Sequence, residues 1–332
     1  MSTTQPQRGL GAGLGLALAS AASFATSGPF AKALAEAGWS PGAAVTVRVV
    51  GAALILVGPA VVLLRGRWAV LRANAWHVVS FGLVAVAACQ LFYFNAVQTL
   101  SVGVALLLEY LGIVLVVLWL WVRHAQRPRR WTLAGVGLSL GGLVLVLDVT
   151  GGVRVDLGGV LWGLGAAVGL ATYFVLSARD TDGLPPLVLA AAGLVVAAVA
   201  LVLCGAVGVL PLEWSTDDVV LAHQAVPWWT PLVGLCVLST SFAYATGVTA
   251  TRALGSKVAS FVGLTEVLFS VLVAWLLLGE LPLPVQLLGG VLIVGGVAAV
   301  RYDELSHGRS VAAAAVPDAG GSALPAPSTL VG

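Results

Sequence analysis

Apolar residues in this chain come in continuous runs close to twenty long, separated by short pieces that are basic or rich in turn formers. About 20 apolar residues, rising roughly 1.5 Å each, span the hydrocarbon core of a bilayer as a helix. A membrane-spanning barrel would instead alternate in segments of about ten. Lipid offers no partner to an unpaired backbone group, so the runs predict helices. They fall at roughly 9–30, 42–64, 77–97, 101–122, 131–148, 158–178, 186–208, 229–250, 256–278 and 285–301. Pro41, Pro128, Pro185, Pro186, Pro227, Pro231, Pro282 and Pro284 lie at or near segment starts, where a missing N–H costs least. The expectation is an all-α membrane protein with ten transmembrane helices. From Tyr302 onward Ala, Pro, Ser and Gly dominate, so 302–332 reads as a disordered cytoplasmic tail.

Composition agrees: 59% of the residues are hydrophobic and only 9% charged, too few charges to cover a soluble domain of 332 residues. The net charge of +2 says little, but the placement of the basic residues says more. With the N-terminus in the cytoplasm, the inner loops hold Arg8, Arg65, Arg67, Arg72, Arg123, Arg127, Arg129, Arg130, Arg179, Arg252, Lys257, Arg301 and Arg309. Of the 16 basic residues, only Lys32 and Arg154 fall outside, and Arg48 lies within a segment. That bias predicts a multi-pass protein of the inner (plasma) membrane with both termini cytoplasmic. Trp39, Trp214, Trp228 and Trp229 would mark the outer interface, and Trp68, Trp76 and Trp131 the inner one.

A shift of 154 residues, which takes Ala96 to Ala250, lays 96–146 on 250–300 without a gap. Matches among Leu, Val and Ala are expected by chance in apolar helices. The coincidence of Trp121 with Trp275, Pro128 with Pro282, and Gly135, Gly141 and Gly142 with Gly289, Gly295 and Gly296 is not. Near the N-terminus, Phe24-Ala25-Thr26 resembles Leu170-Ala171-Thr172. The chain therefore divides into two five-helix repeats, 9–148 and 158–301. Five crossings is an odd number, so the second copy enters the membrane upside down relative to the first. Inverted repeats enclose a site near the midplane and exchange inward and outward openings.

Several motifs carry a family resemblance. They are Leu100-Ser101-Val102-Gly103-Val104-Ala105 and Leu108-Glu109-Tyr110-Leu111-Gly112 in the first half. The second half has Thr265-Glu266-Val267, the run Ala274 to Glu280, and the helix carrying Gly289, Gly295 and Gly296. Across 10–301 the chain resembles EamA-type members of the drug/metabolite transporter superfamily. Its first half is similar to the threonine/homoserine exporter branch, whose helix reads Leu-Glu-Phe-x-Gly-Pro; Ile113 stands at the proline position here. The resemblance implies an inner-membrane secondary transporter exporting amino acids or similar small metabolites by alternating access. Its expected partners are a small-molecule substrate, the lipid bilayer and, if transport is coupled to them, protons. No cofactor, metal or nucleic acid is expected, and the chain has no phosphate-binding loop through which ATP would drive it. The alternative is a non-transporting membrane sensor or assembly subunit.

Three strongly charged residues lie well inside segments: Arg48, Glu109 and Glu266. A charge at the bilayer centre costs about 2.5–3.5 kcal/mol on insertion scales, so each should face a cavity or a partner. Glu266 shares a face with Ala259, Gly263 and Ser270. It reads as a ligand for a substrate amine, as a proton-coupling carboxylate, or as a hydrogen-bond partner of a neighbouring helix. Arg48 and Glu109 lie at similar depths, so they either pair with each other or serve the site, or Arg48 snorkels to the surface. Gln90, Tyr93, Asn95, Thr172, Tyr173 and Tyr244 are the other candidate substrate-binding residues, each open to the simpler reading of an interhelical hydrogen bond. Cys89, Cys204 and Cys236 read as small core residues. Gly137-Leu138-Ser139-Leu140-Gly141 matches the G-x-S-x-G of serine hydrolases, but that motif needs a strained strand-to-helix turn. This one lies mid-helix with no histidine at depth, so no enzyme is expected.

Overall fold

In the computed structural model the described residues are 5–99, 102–124, 128–146, 156–181, 183–221, 224–278 and 283–314. Leu100, Ser101, Arg127, Arg154, Gly279, Glu280 and the tail from 315 lie outside them. Helix follows helix, and local chemistry sets the breaks. Helix α1 (Gln5–Ala25) gives way to α2 (Ser27–Glu36) at Thr26, whose hydroxyl donates back to the Ser23 carbonyl at 2.7 Å. Pro29 then leaves a further rung unmade. Helix α3 (Pro41–Leu64) starts at Ser40, whose Oγ accepts from the Ala43 N–H at 3.2 Å. Short α4 (Trp68–Ala73) and α5 (Ala75–Ser80) lead into a π-helical stretch, Phe81–Ala88, and then α6 (Cys89–Thr99). Helices α7 (Val102–Tyr110), α8 (Gly112–His124) and α9 (Arg130–Val146) complete the first half.

The second half opens with α10 (Leu157–Ala178), capped by Asp156 accepting from the Gly159 N–H at 2.7 Å. Helix α11 (Pro186–Ala206) follows, then an unforeseen hairpin of β1 (Val219–Leu221) and β2 (Gln224–Val226), with Val219 opposite Val226. Helix α12 (Trp229–Cys236) runs through a second π-helical stretch, Val237–Phe242, into α13 (Ala243–Leu254). Helices α14 (Ser256–Gly263), α15 (Thr265–Leu278) and α16 (Pro284–Ala314) end the described chain. Shifted by 154, the first π stretch covers the second, and Leu111, between α7 and α8, lands beside Leu264, between α14 and α15.

Among the described residues, 7 helices are long and apolar enough to cross a membrane, and 130–145 and 287–300 are shorter apolar helices. The expected segments outside that set are 131–148, 256–278 and 285–301, of which 256–278 is divided at Leu264. The tightest packing joins α3 to α11, α9 to α16, α1 to α13 and α10 to α6. Between α9 and α16 the backbones touch: a Cβ on Gly142 would lie 2.5 Å from the Gly289 carbonyl oxygen, and one on Gly296 2.8 Å from that of Gly135. The two helices therefore run antiparallel here, and the 154-residue shift exchanges one contact for the other.

Two expectations need correction. The last helix does not end at 301 but continues to Ala314. Asp303 explains this: it is buried, accepts from the Thr132 hydroxyl at 2.6 Å and pairs with Lys257 at 3.3 Å, tying the extension to α9 and α14. Asp303→Ala should therefore lower stability by about 2–3 kcal/mol, as loss of charge-assisted hydrogen bonds does; an unchanged melting temperature in detergent would refute this. Trp39 is buried rather than at the lipid interface, stacked on Trp228 at 6.1 Å with its indole N–H donating to the Ser215 carbonyl at 2.8 Å. Trp76 is 82% exposed.

Candidate functional site

Arg48 projects from the first half of α3 and is buried, so it does not snorkel. Nor does it pair directly with an acid: among the described residues the ion pair recorded is Lys257 with Asp303. Its Nε is buried without a hydrogen-bond partner. Glu109, Glu266 and Tyr244 all lie within electrostatic reach of its guanidinium. A buried cation held near two acids but bonded to neither is poor structural glue, because its desolvation is only partly offset.

Both carboxylates sit at helix breaks. Glu109 is in the last turn of α7, just before Leu111, and Glu266 is in the first turn of α15, just after Leu264. At each break the amide reaches back three residues, Leu111 N–H to the Leu108 carbonyl at 3.1 Å and Leu264 N–H to that of Phe261 at 3.2 Å. Neither break carries a proline. Gly112 follows the first, where a Cβ would meet the Ala167 carbonyl oxygen at 2.7 Å. The exposed amide dipoles at the start of α15 favour a negative Glu266, whereas the end of α7 offers Glu109 carbonyl oxygens. Glu109 is instead steadied by Cys89, whose thiol lies 3.5 Å from its Oε1 and 3.5 Å from the Ala166 carbonyl.

Aromatic rings close the space around these charges. Tyr173 meets Tyr244 edge-on at 5.8 Å between centroids, Phe81 at 5.9 Å and Phe174 at 5.1 Å, while Phe24 meets Tyr244 at 5.3 Å. Tyr173 and Tyr244 are buried, and the Tyr173 hydroxyl has no hydrogen-bond partner. It passes over Gly247, where any Cβ would collide with it. Gln90 neighbours the Tyr244 hydroxyl, and Tyr93 lies within reach of both carboxylates.

The structure thus brings together Arg48, Glu109, Glu266, Gln90, Tyr93, Tyr173 and Tyr244. The side chains of Asn95 and Thr172 donate to their own helix at Leu91 (2.7 Å) and Val168 (2.7 Å). Sequence reasoning missed Tyr110, a neighbour of Glu266, because on an unbroken helix a residue adjacent to Glu109 points about 100° away from it. It also read Cys89 as filler. Ser139 is buried in the α9/α16 contact against Gly296, away from these residues.

A polytopic helical membrane protein with a polar, charge-bearing interior where its two halves meet is the class this architecture defines. The EamA-like transporter family matches residues 11–148 and again 157–302. The chain therefore belongs to the EamA-like transporter family and carries two copies of its repeat. It is 27% identical over 231 residues, 68% of this chain and 73% of the relative, to "Uncharacterized transporter YwfM" of Bacillus subtilis (strain 168). A shorter stretch of 38 residues is 45% identical to "UPF0060 membrane protein Reut_B3679" of Cupriavidus pinatubonensis, covering 34% of that protein. A solved crystal structure superposes with a TM-score of 0.73 at 20% identity, covering 88% of this chain and 97% of the other, and shares the fold.

Proposed function

We propose that the protein is a secondary transporter that exports amino acids or similar small metabolites across the inner membrane. It has ten crossings, arranged as two inverted five-helix halves that rock about a central site, with both termini cytoplasmic. The observation that carries this reading is Arg48, buried and without an ion pair beside Glu109 and Glu266. In this arrangement Arg48 receives the carboxylate of an amino acid and Glu266 or Glu109 its ammonium, with Tyr93, Tyr173, Tyr244 and Gln90 shaping the space around them. The α9/α16 glycine contact, which the repeat shift maps onto itself, and the matched π stretches support the inverted arrangement. Broken helices at a midplane site are a recurrent transporter device. Ser139, locked in a helix contact, supports a role in packing rather than in hydrolysis.

Proteoliposomes loaded with a mixture of amino acids should release at least one faster than protein-free vesicles; no release of any would remove amino acids as the substrate. Running the assay with and without an imposed pH gradient tests proton coupling, since equal rates exclude it.

A further inference from the structure

The two ends of the bundle are not alike. At one end α13 and α14 pack on α10, and α14 packs on α8. The repeat register assigns the equivalent contacts at the other end to α6 and α7 on α1, and to α7 on α15. Among the described residues these make no comparable approach. Among the described residues one end is fastened by these contacts and the other is not.

The closed end has a specific fastening. Arg252 lies in the last turn of α13 and donates through Nη1 to the Leu184 carbonyl and through Nη2 to the Thr181 hydroxyl at 3.3 Å. Its acceptors sit in the short connection between α10 and α11, where Thr181 is 4% and Leu184 1% exposed. The first half holds the same connection from the opposite side. Arg67 Nη2 donates to the Gly183 carbonyl at 2.9 Å, Asn74 Nδ2 to the Thr181 carbonyl at 3.4 Å, and a His77 ring nitrogen lies 3.1 Å from the Leu176 carbonyl oxygen. Arg67 and Asn74 secure the connection, and His77 the end of α10, to the region of α4 and α5. Arg252 reaches it across the seam, from the helix that packs with α1. In the last turn of α10, just before this connection, Ser177 is fully buried with no partner for its hydroxyl. The register places uncharged Gln98 opposite Arg252.

We propose that Arg252 is the latch of this closed end: parting α13 from α10 requires its guanidinium to leave Leu184 and Thr181, and that release admits water to the site from the 176–184 side. The inference goes beyond transport itself and uses that reading only to give the closed end a purpose. Two donors of one planar group engage two acceptors on one connection, a geometry lysine cannot reproduce.

The test labels Ser177→Cys with a membrane-impermeant fluorescein maleimide in the full-length protein, with modification at position 177 quantified by mass spectrometry. Adding Arg252→Gln should speed labelling at least about tenfold, and Arg252→Lys less, because a lost charge-assisted hydrogen bond shifts an opening equilibrium by that much. Hydrogen exchange of the Leu184 amide, which bonds the Thr181 carbonyl, should rise in parallel. If Arg252→Gln fails to fold, Thr181→Ala removes one acceptor and keeps the cation, and a several-fold increase is expected. Equal labelling and exchange in folded variants and parent would overturn the latch. Flux by the wild type decides transport separately: faster labelling in a chain that moves nothing keeps the latch and removes the transporter, and flux with unchanged labelling does the reverse.

Discussion

Glu266→Gln is expected to abolish flux in proteoliposomes while the protein still folds and elutes as a single species in detergent. Glutamine keeps the volume of the side chain and can still hydrogen-bond Tyr110, so packing around the start of α15 is preserved. It removes the negative charge that, in the transport reading, meets the substrate amine. Truncating one partner of a buried hydrogen-bonded charge pair costs about 2–5 kcal/mol, so flux at a fixed substrate concentration should fall roughly 30-fold or more. Thermal stability should hold or rise slightly, because a buried carboxylate no longer has to be desolvated. Wild-type flux with Glu266→Gln would instead assign the carboxylate to helix packing. Arg48 would then be left without its proposed task as well.

The second large effect concerns the scaffold. Gly142→Leu should destabilise the protein by about 3 kcal/mol or more and lower its melting temperature in detergent. The first carbon of the new side chain would fall 2.5 Å from the Gly289 carbonyl oxygen and 2.9 Å from Ile293, both on α16. These are backbone and buried core atoms that cannot swing aside, so α9 and α16 must separate, with loss of the close packing that holds membrane helices together. A Cβ on Gly137 of the same helix meets nothing within 4 Å, so Gly137→Leu should be neutral. Equal melting temperatures for the two variants would show that the contact contributes little.

Glu109 and Glu266 were legible in the sequence because a charge inside an apolar run is costly, whatever surrounds it. The role of Arg48 was only half legible. Its place inside an apolar segment was evident, but whether it pairs, snorkels or waits beside two acids depends on which helices face α3, and no local pattern encodes that. Asn95 and Thr172 looked like site residues by type, yet each had a backbone carbonyl four residues back on its own helix, an option any polar helix residue holds. Tyr110 was hidden by the assumption of an unbroken helix. At the break Gly112 lies in close contact with α10, which is a tertiary event.

By itself the sequence determined the helical membrane class, the two repeats and the buried charges. Each follows from the free energy of placing a residue in lipid or from chain periodicity, quantities local to a segment. Only the tertiary structure decided the company those charges keep, the continuation of the last helix through Asp303, and the inequality of the two ends. These depend on which helices lie side by side, and an apolar helix face carries little record of its neighbour.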